Sequence, residues 1–166
     1  MRHTSLVVAA VAAVALLAHA SAQAQELKKL SLDDASMIGL TIQTDEQVKT
    51  EGKASIKITT AWPTIVCLGE VTGLDVEDAK LVYKAKVKTE LDGDAFLEMW
   101  VQVGGGQYFS KGMNDPVKGK SDWKSIQTPF MFQKGQKPDK VTLNIVISGK
   151  GTVWVDDIVL SKEALK

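Results

Sequence analysis

The chain has 166 residues, with 20 basic and 20 acidic side chains and a formal net charge of zero. This balance does not supply the basic surface on which nucleic-acid binding depends. The only arginine, Arg2, and both histidines, His3 and His19, precede residue 25. Histidine-based catalytic triads, histidine-ligated zinc and bidentate arginine clamps are therefore excluded from the rest of the chain.

Residues 1–24 have the pattern of a secretory signal peptide. A short basic start precedes an apolar run over residues 6–18, and small residues suited to cleavage follow it. The run is short for a bilayer span, and no later segment is apolar enough to be one. We therefore expect export to the periplasm or the cell exterior, with one domain over residues 25–166. Cys67 is the single cysteine, and its apolar neighbours predict a small buried side chain.

Apolar and polar residues alternate along most of the chain, and no long stretch has helical periodicity. Asp92-Gly93, within residues 91–94, predicts a hairpin turn, and a polar loop is expected over residues 111–122. These patterns predict an all-β protein, a two-sheet β-sandwich of the jelly-roll kind. The predicted strands cover residues 26–32, 54–59, 64–71, 80–88, 95–103, 107–110, 123–132, 140–148 and 152–160.

Residues 95–103 form the most informative predicted strand. Side chains alternate across a strand, so one face is aliphatic and the other carries Phe96, Glu98, Trp100 and Gln102. Two aromatic rings beside a carboxylate and an amide are unusual on a merely solvated face. Aromatic rings lie under the apolar faces of sugars, and polar neighbours bond the hydroxyl groups. The pattern predicts a glycan site, and the alternative is that the aromatic rings fill the core.

Two adjacent carboxylates, Asp156 and Asp157, interrupt the apolar closing strand over residues 149–160. An unpaired charge buried in a sheet is strongly destabilising. At least one of the two is therefore expected to meet a cation, a row of backbone N–H groups, or water at the end of the sheet.

Three motifs resemble the galactose-binding-like jelly-roll superfamily, which includes non-catalytic carbohydrate-binding modules of xylanases and glucanases. They are the closing Gly-Thr-Val-Trp-Val-Asp-Asp-Ile-Val-Leu at residues 151–160, the central strand at 97–103, and the Gly-x-x-x-Trp lead at 119–123. Together they lie within roughly residues 80–160. The resemblance implies a jelly roll that binds a polysaccharide or oligosaccharide, although a fold by itself does not determine function.

The resemblance implies two places where a glycan can bind. One is a cleft across a sheet, and the other is a set of loops at the edge of the sandwich. The candidates for the cleft are Trp100, Glu98 and Gln102, with Phe96 on the same face, and the loop-borne candidates are Tyr108, Trp62 and Asn114.

The resemblance also implies a structural calcium ion at the end of the sandwich, and no other cofactor. Asp156 matches the family's aspartate on the closing strand, and Glu51 and Asp33 are candidate partners. Calcium takes six to eight oxygen ligands, so one aspartate alone is not a site. The alternative is that the aspartate pair caps the N–H groups of a loop.

Catalysis is the weaker interpretation. Glycoside hydrolysis needs two carboxylates, but the Glu-x-Asp-x-x-Glu signature of jelly-roll glucanases is absent. The main alternative to glycan binding is a structural or protein–protein interaction domain of the same fold, with another envelope protein as its partner.

Overall fold

A computed structural model describes residues 25–30 and 42–165. The predicted signal peptide and Asp33 lie outside the described residues. No helix in the described ranges is long and apolar enough to cross a membrane. Every strand pairing there is antiparallel. The strands are β1 (Gln25–Leu30), β2 (Ile42–Asp45), β3 (Ser55–Thr60), β4 (Thr64–Thr72), β5 (Ala79–Val103), β6 (Gly106–Lys111), β7 (Val117–Phe132), β8 (Lys140–Ile147) and β9 (Gly151–Ala164).

The strands form one curled sheet whose two halves enclose the core, and β5 belongs to both halves. Its first part, residues 79–91, lies between β9 and β7. Its second part, residues 95–103, lies between β8 and β6. We call β2, β3, β9, the first part of β5 and β7 the first layer, and β4, β8, the second part of β5 and β6 the second layer. This arrangement confirms the predicted two-sheet β-sandwich.

One hydrophobic cluster fills the space between the layers, and it draws on both. Leu81 and Val87 contribute from the first part of β5, and Leu97 and Val101 from the second part. The alternation predicted for the aliphatic face of residues 95–103 is therefore confirmed. Burying this much aliphatic surface is the main driving force for the fold.

The predicted hairpin turn at residues 91–94 is wrong, because β5 continues through it. Asp92-Gly93 instead marks the place where β5 passes from one layer to the other. A Cβ atom on Gly93 would lie 2.8 Å from the Ser148 carbonyl oxygen, so only glycine allows this close approach. The Asp92 carboxylate accepts a 2.6 Å hydrogen bond from the Lys150 backbone N–H. The Asp-Gly pair therefore docks against another turn rather than forming its own.

Two further expectations are wrong. The polar loop predicted over residues 111–122 ends early, because β7 begins at Val117 and pairs with β5 from there. Cys67 is exposed rather than buried. Its neighbours Val66 and Leu68 face the core, so the alternation of β4 places the thiol on the outer face of the second layer.

The two aspartates of β9 lie at a β-bulge opposite β5. Val155 and Ile158 both belong to the core cluster, so two residues separate them where regular alternation has one. Asp157 absorbs the irregularity with a φ of 50°, in the left-handed region. The bulge keeps both aspartates off the core side while the apolar residues around them stay on it.

Candidate functional site

The outer face of the second layer carries the side chains that the sequence singled out. Strand register places Phe109 of β6 and Thr142 of β8 on either side of Trp100. The same register places Lys111 and Asn144 on either side of Glu98. Opposite residues in antiparallel strands contact each other directly. Three strands therefore contribute to one continuous polar and aromatic surface.

Glu98 is the centre of this surface, and its side chain is only 1% exposed. One carboxylate oxygen, Oε1, accepts a 2.7 Å hydrogen bond from Trp100 Nε1 and a 3.1 Å hydrogen bond from Asn144 Nδ2. Lys111 Nζ lies 3.1 Å from the other oxygen, Oε2, at ion-pair distance. The ammonium is not aligned for a hydrogen bond, and Oε2 has no hydrogen-bond partner in the described residues. Glu98 is thus a fixed carboxylate, and its second oxygen is shielded from solvent beside Lys111.

Trp100 and Phe109 form an aromatic pair beside Glu98. Their ring centroids are 5.2 Å apart and their planes are tilted by 51°. Trp100 is half-buried, whereas Phe109 is 55% exposed. The hydrogen bond to Glu98 fixes the orientation of the Trp100 ring, since an indole has a single N–H donor. The Lys111 ammonium lies 5.2 Å from the centroid of the Phe109 ring.

An apolar groove of about 610 Å³ lies at the other end of the same face. Phe96 stands opposite Val146 at this end, and it is buried but outside the core cluster. Trp62, which precedes the groove in the chain, is 68% exposed. The groove is lined by Pro63, Thr64, Ile65, Val146, Ile147 and Ser148.

A second ion pair lies on the β8–β4 side of the face. Glu70 accepts a 2.9 Å hydrogen bond from Lys140 Nζ and a 3.2 Å hydrogen bond from Thr142 Oγ1. These bonds, the one from Lys140 first, lower the pKa of Glu70 below its ordinary value. Gln102 stands opposite Lys140 across the strand pair.

The fold therefore brings together the four predicted residues of the cleft, Phe96, Glu98, Trp100 and Gln102. Trp62 directly precedes the groove residue Pro63 in the chain. The fold separates Tyr108 from the four cleft residues. Tyr108 stands opposite the core residue Val101, and its ring faces Phe130 at 6.5 Å. Asn114 lies in the exposed loop between β6 and β7.

Sequence reasoning missed Phe109, Lys111 and Asn144. A signal existed for the first two, because Gly104 and Gly105 both have positive φ and form a two-residue hairpin loop between β5 and β6. A two-residue loop fixes the register, so Phe109 must stand opposite Trp100. Asn144 is 46 residues from Glu98, and no local pattern pairs these two residues.

The sequence matches no protein-family model and no curated protein. Many solved structures are similar to it, including the following three. The CBM22-1 xylan-binding domain of Paenibacillus barcinonensis Xyn10C has a TM-score of 0.54 and 14% identity, with 75% of this chain and 82% of that one covered. The CBM22-1–CBM22-2 tandem of the same protein has a TM-score of 0.60 and 15% identity, with 89% of this chain and 48% of that one covered. The C-terminal family 22 carbohydrate-binding module of Clostridium thermocellum Xyn10B has a TM-score of 0.51 and 10% identity, with 72% of this chain and 80% of that one covered.

The chain has the fold of the carbohydrate-binding modules. The resemblance found in the closing strand, the central strand and the Gly-x-x-x-Trp lead is therefore confirmed for the fold. Identities of 10–15% carry no information on ligands or on individual site residues.

In this carbohydrate-binding-module fold, Asp156 ties the closing strand to the loop before β3. Its Oδ2 accepts hydrogen bonds from Thr50 N at 2.6 Å, Thr50 Oγ1 at 3.0 Å and Glu51 N at 3.1 Å. Asp156 thus caps loop N–H groups, as expected under the alternative to a calcium site.

The other predicted calcium ligands have partners of their own or lie outside the described ranges. Glu51 pairs with Lys29 at 2.5 Å. Asp157, which was not a predicted ligand, lies between Lys29 and Lys86, at 3.6 and 3.3 Å. Among the described residues, no group of three or more His, Cys, Asp or Glu side chains is placed to hold a metal ion. Asp33 is not described, so the calcium ion stays a prediction.

Proposed function

We propose that this protein is a non-catalytic carbohydrate-binding domain that holds a glycan on the outer face of its second layer. The observation that carries the proposal is the Glu98–Trp100–Phe109 cluster, a buried carboxylate that orients one aromatic ring beside a second, exposed ring. The similarity of the fold to domains described as xylan-binding and carbohydrate-binding supports it.

The cluster is suited to sugars because its parts are held in place before a ligand arrives. Trp100 is fixed by its hydrogen bond, so binding would cost little side-chain entropy. Phe109 offers an exposed ring for the apolar face of a sugar. Glu98 Oε2 is shielded from solvent beside the Lys111 ammonium, so Glu98 supports the site by holding Trp100 in place. Gln102, beyond Trp100, would supply an amide to the same ligand.

The same face is poorly suited to cleaving a glycosidic bond. Catalysis needs one carboxylic acid that donates a proton and a second carboxylate that acts as nucleophile or base. Glu98 is held by two hydrogen-bond donors and an ammonium group, and Glu70 is held by Lys140 and Thr142. The partners of Glu70 lower its pKa and oppose its use as a proton donor, and Glu98 is shielded from solvent.

Affinity electrophoresis through gels that contain soluble neutral polysaccharides tests this proposal. We expect retardation by at least one polymer, and its loss in Trp100→Ala and in Phe109→Ala. Tyr108→Ala is the matched control, because Tyr108 is exposed to a similar degree but lies on the other side of β6. A folded protein that no polymer retards would favour a protein-binding or structural role instead.

We also propose that residues 1–24 direct export and are removed, so that the domain acts in the periplasm or outside the cell. N-terminal sequencing of the protein from the culture supernatant or periplasm tests this.

Repeating the electrophoresis and a melting curve with EDTA tests the predicted calcium ion. A lower melting temperature in EDTA, restored by added calcium, would support it.

A further inference from the structure

The outer face of the second layer carries four charged groups at its strand positions, and all four are paired. Lys111 pairs with Glu98 at 3.1 Å, and Lys140 pairs with Glu70 at 2.9 Å. Asp139 adds a further carboxylate beside Gln102. Among the described strands of this face, no ammonium group is therefore without a carboxylate partner.

Lys111 is held more firmly than an ordinary surface lysine. Its ammonium contacts the carboxylate of Glu98 on one side and lies 5.2 Å from the centroid of the Phe109 ring on the other. Contacts of both kinds stabilise a cation. Glu98 is almost fully buried, so moving Lys111 away would leave a buried carboxylate without its cation, which is strongly unfavourable.

We propose that the Glu98–Lys111 pair determines specificity by keeping the ammonium group of the aromatic cluster occupied, so that the site accepts uncharged glycans and rejects glycans that carry uronic acids. The inference rests on the proposed function. A uronate carboxylate at this face would lose water without gaining a free cation, and it would approach the exposed carboxylates of Glu70 and Asp139.

The test measures the affinity of the full chain and its variants for a neutral polymer, arabinoxylan, and for an acidic one, polygalacturonate. We expect the wild-type protein to be retarded by the neutral polymer and not by the acidic one. Glu98→Gln keeps an oxygen for the Trp100 and Asn144 donors but releases the Lys111 ammonium. We expect this variant to gain about tenfold in affinity for polygalacturonate, because a hydrogen bond to a charged group forms with the ligand instead. High salt should remove the gain.

Three further variants make the result specific. The double variant Glu98→Gln/Lys111→Met should lose the gain, because the released cation is gone. Asp122→Asn changes the net charge equally, but it releases Lys88, which belongs to the first layer. This variant should gain no affinity for polygalacturonate. Glu70→Gln releases Lys140 at an exposed position where folding is not at risk, and it should gain affinity for the acidic polymer as Glu98→Gln does.

The possible outcomes separate this inference from the proposed function. A wild-type protein that binds polygalacturonate in a salt-sensitive way would overturn the specificity assignment and leave glycan binding intact. Folded Glu98→Gln and Glu70→Gln proteins without any gain would overturn it as well. A protein that neither polymer retards, nor any other of a broad panel, would overturn the proposed function itself.

Discussion

A hydrogen bond from a tryptophan indole to a carboxylate occurs once in each layer, and its role differs between the two layers. In the second layer, Trp100 Nε1 donates to Glu98 at 2.7 Å, and in the first layer, Trp154 Nε1 donates to Asp45 at 2.9 Å. Trp154 is only 7% exposed, and Lys57 lies over its ring at 5.5 Å. Trp100 is half-buried and has an exposed aromatic neighbour.

The two pairs also differ in the chain segments they connect. The Trp154–Asp45 bond joins residues 109 positions apart and fastens β2 to the closing strand. The Trp100–Glu98 bond joins two residues of one strand, so it adds no long-range connection. A tryptophan–carboxylate bond thus stabilises the fold where it connects distant segments under a covered ring. Where it lies within one strand beside an open ring, it orients that ring.

The largest expected difference between the pairs is in stability. We expect Trp154→Ala to lower the free energy of unfolding by about 3–5 kcal/mol, as for other buried large aromatic residues. Trp100→Ala should cost about 1–2 kcal/mol, since its ring is partly in water and the main loss is one hydrogen bond to Glu98. Urea unfolding of both variants measures this. Equal losses would place Trp100 in the core and remove it from the site.

A smaller effect is expected from pH. The hydrogen bond from Trp154 is the main cause of the lowered pKa of Asp45, and the Val48 and Gln47 N–H groups add to it. A carboxyl group whose pKa is lower in the folded protein stabilises the fold at pH values above the pKa that it has in the unfolded chain, about 3.9. This stability is lost as the pH falls through the folded pKa.

Asp45→Asn tests this pH dependence. We expect it to cost about 1 kcal/mol at pH 7, because Asp45 is partly exposed and the bond to the charged acceptor is weakened. The cost should shrink below pH 4. Melting curves of the wild-type protein and the Asp45→Asn variant between pH 2 and pH 7 measure this cost. A cost that stays constant over this range would contradict the role of the Asp45 charge.

Tyr83 provides the smallest effect and a contrast with both tryptophans. Its side chain is fully buried, its hydroxyl group has no hydrogen-bond partner in the described residues, and burial raises its pKa. We expect Tyr83→Phe to raise the free energy of unfolding by about 0.5–1 kcal/mol, because it removes a desolvated polar group without a partner. Urea unfolding measures this as well. A clear loss of stability would mean that the hydroxyl group has a partner, such as a buried water molecule.

Much of the fold could be predicted from local patterns, but part of it could not. Alternation assigned Leu97 and Val101 to the core and Glu98 and Trp100 to the opposite face. The turn predicted from Asp92-Gly93 was wrong, because an Asp-Gly pair suits both a hairpin and a close approach between two turns. The choice depends on Ser148, which is far away in sequence.

The candidate site was predictable only along one strand. Phe96, Glu98, Trp100 and Gln102 follow from a period of two residues. Their neighbours depend on strand pairing, which for Asn144 is set by the packing of β8 in the core rather than by any signal near β5. Predicting that Lys111 pairs with the Glu98 charge requires the strand register that the glycine hairpin sets.

The most direct test of the central claim compares the two tryptophans during binding. In a ¹H–¹⁵N spectrum, each indole N–H gives its own signal, and Trp100→Phe and Trp154→Phe variants assign the two signals of interest. We predict that the polysaccharide that retards the protein shifts the Trp100 signal and leaves the Trp154 signal unchanged. A shift of the Trp154 signal with an unchanged Trp100 signal would place the glycan on the first layer and contradict the account.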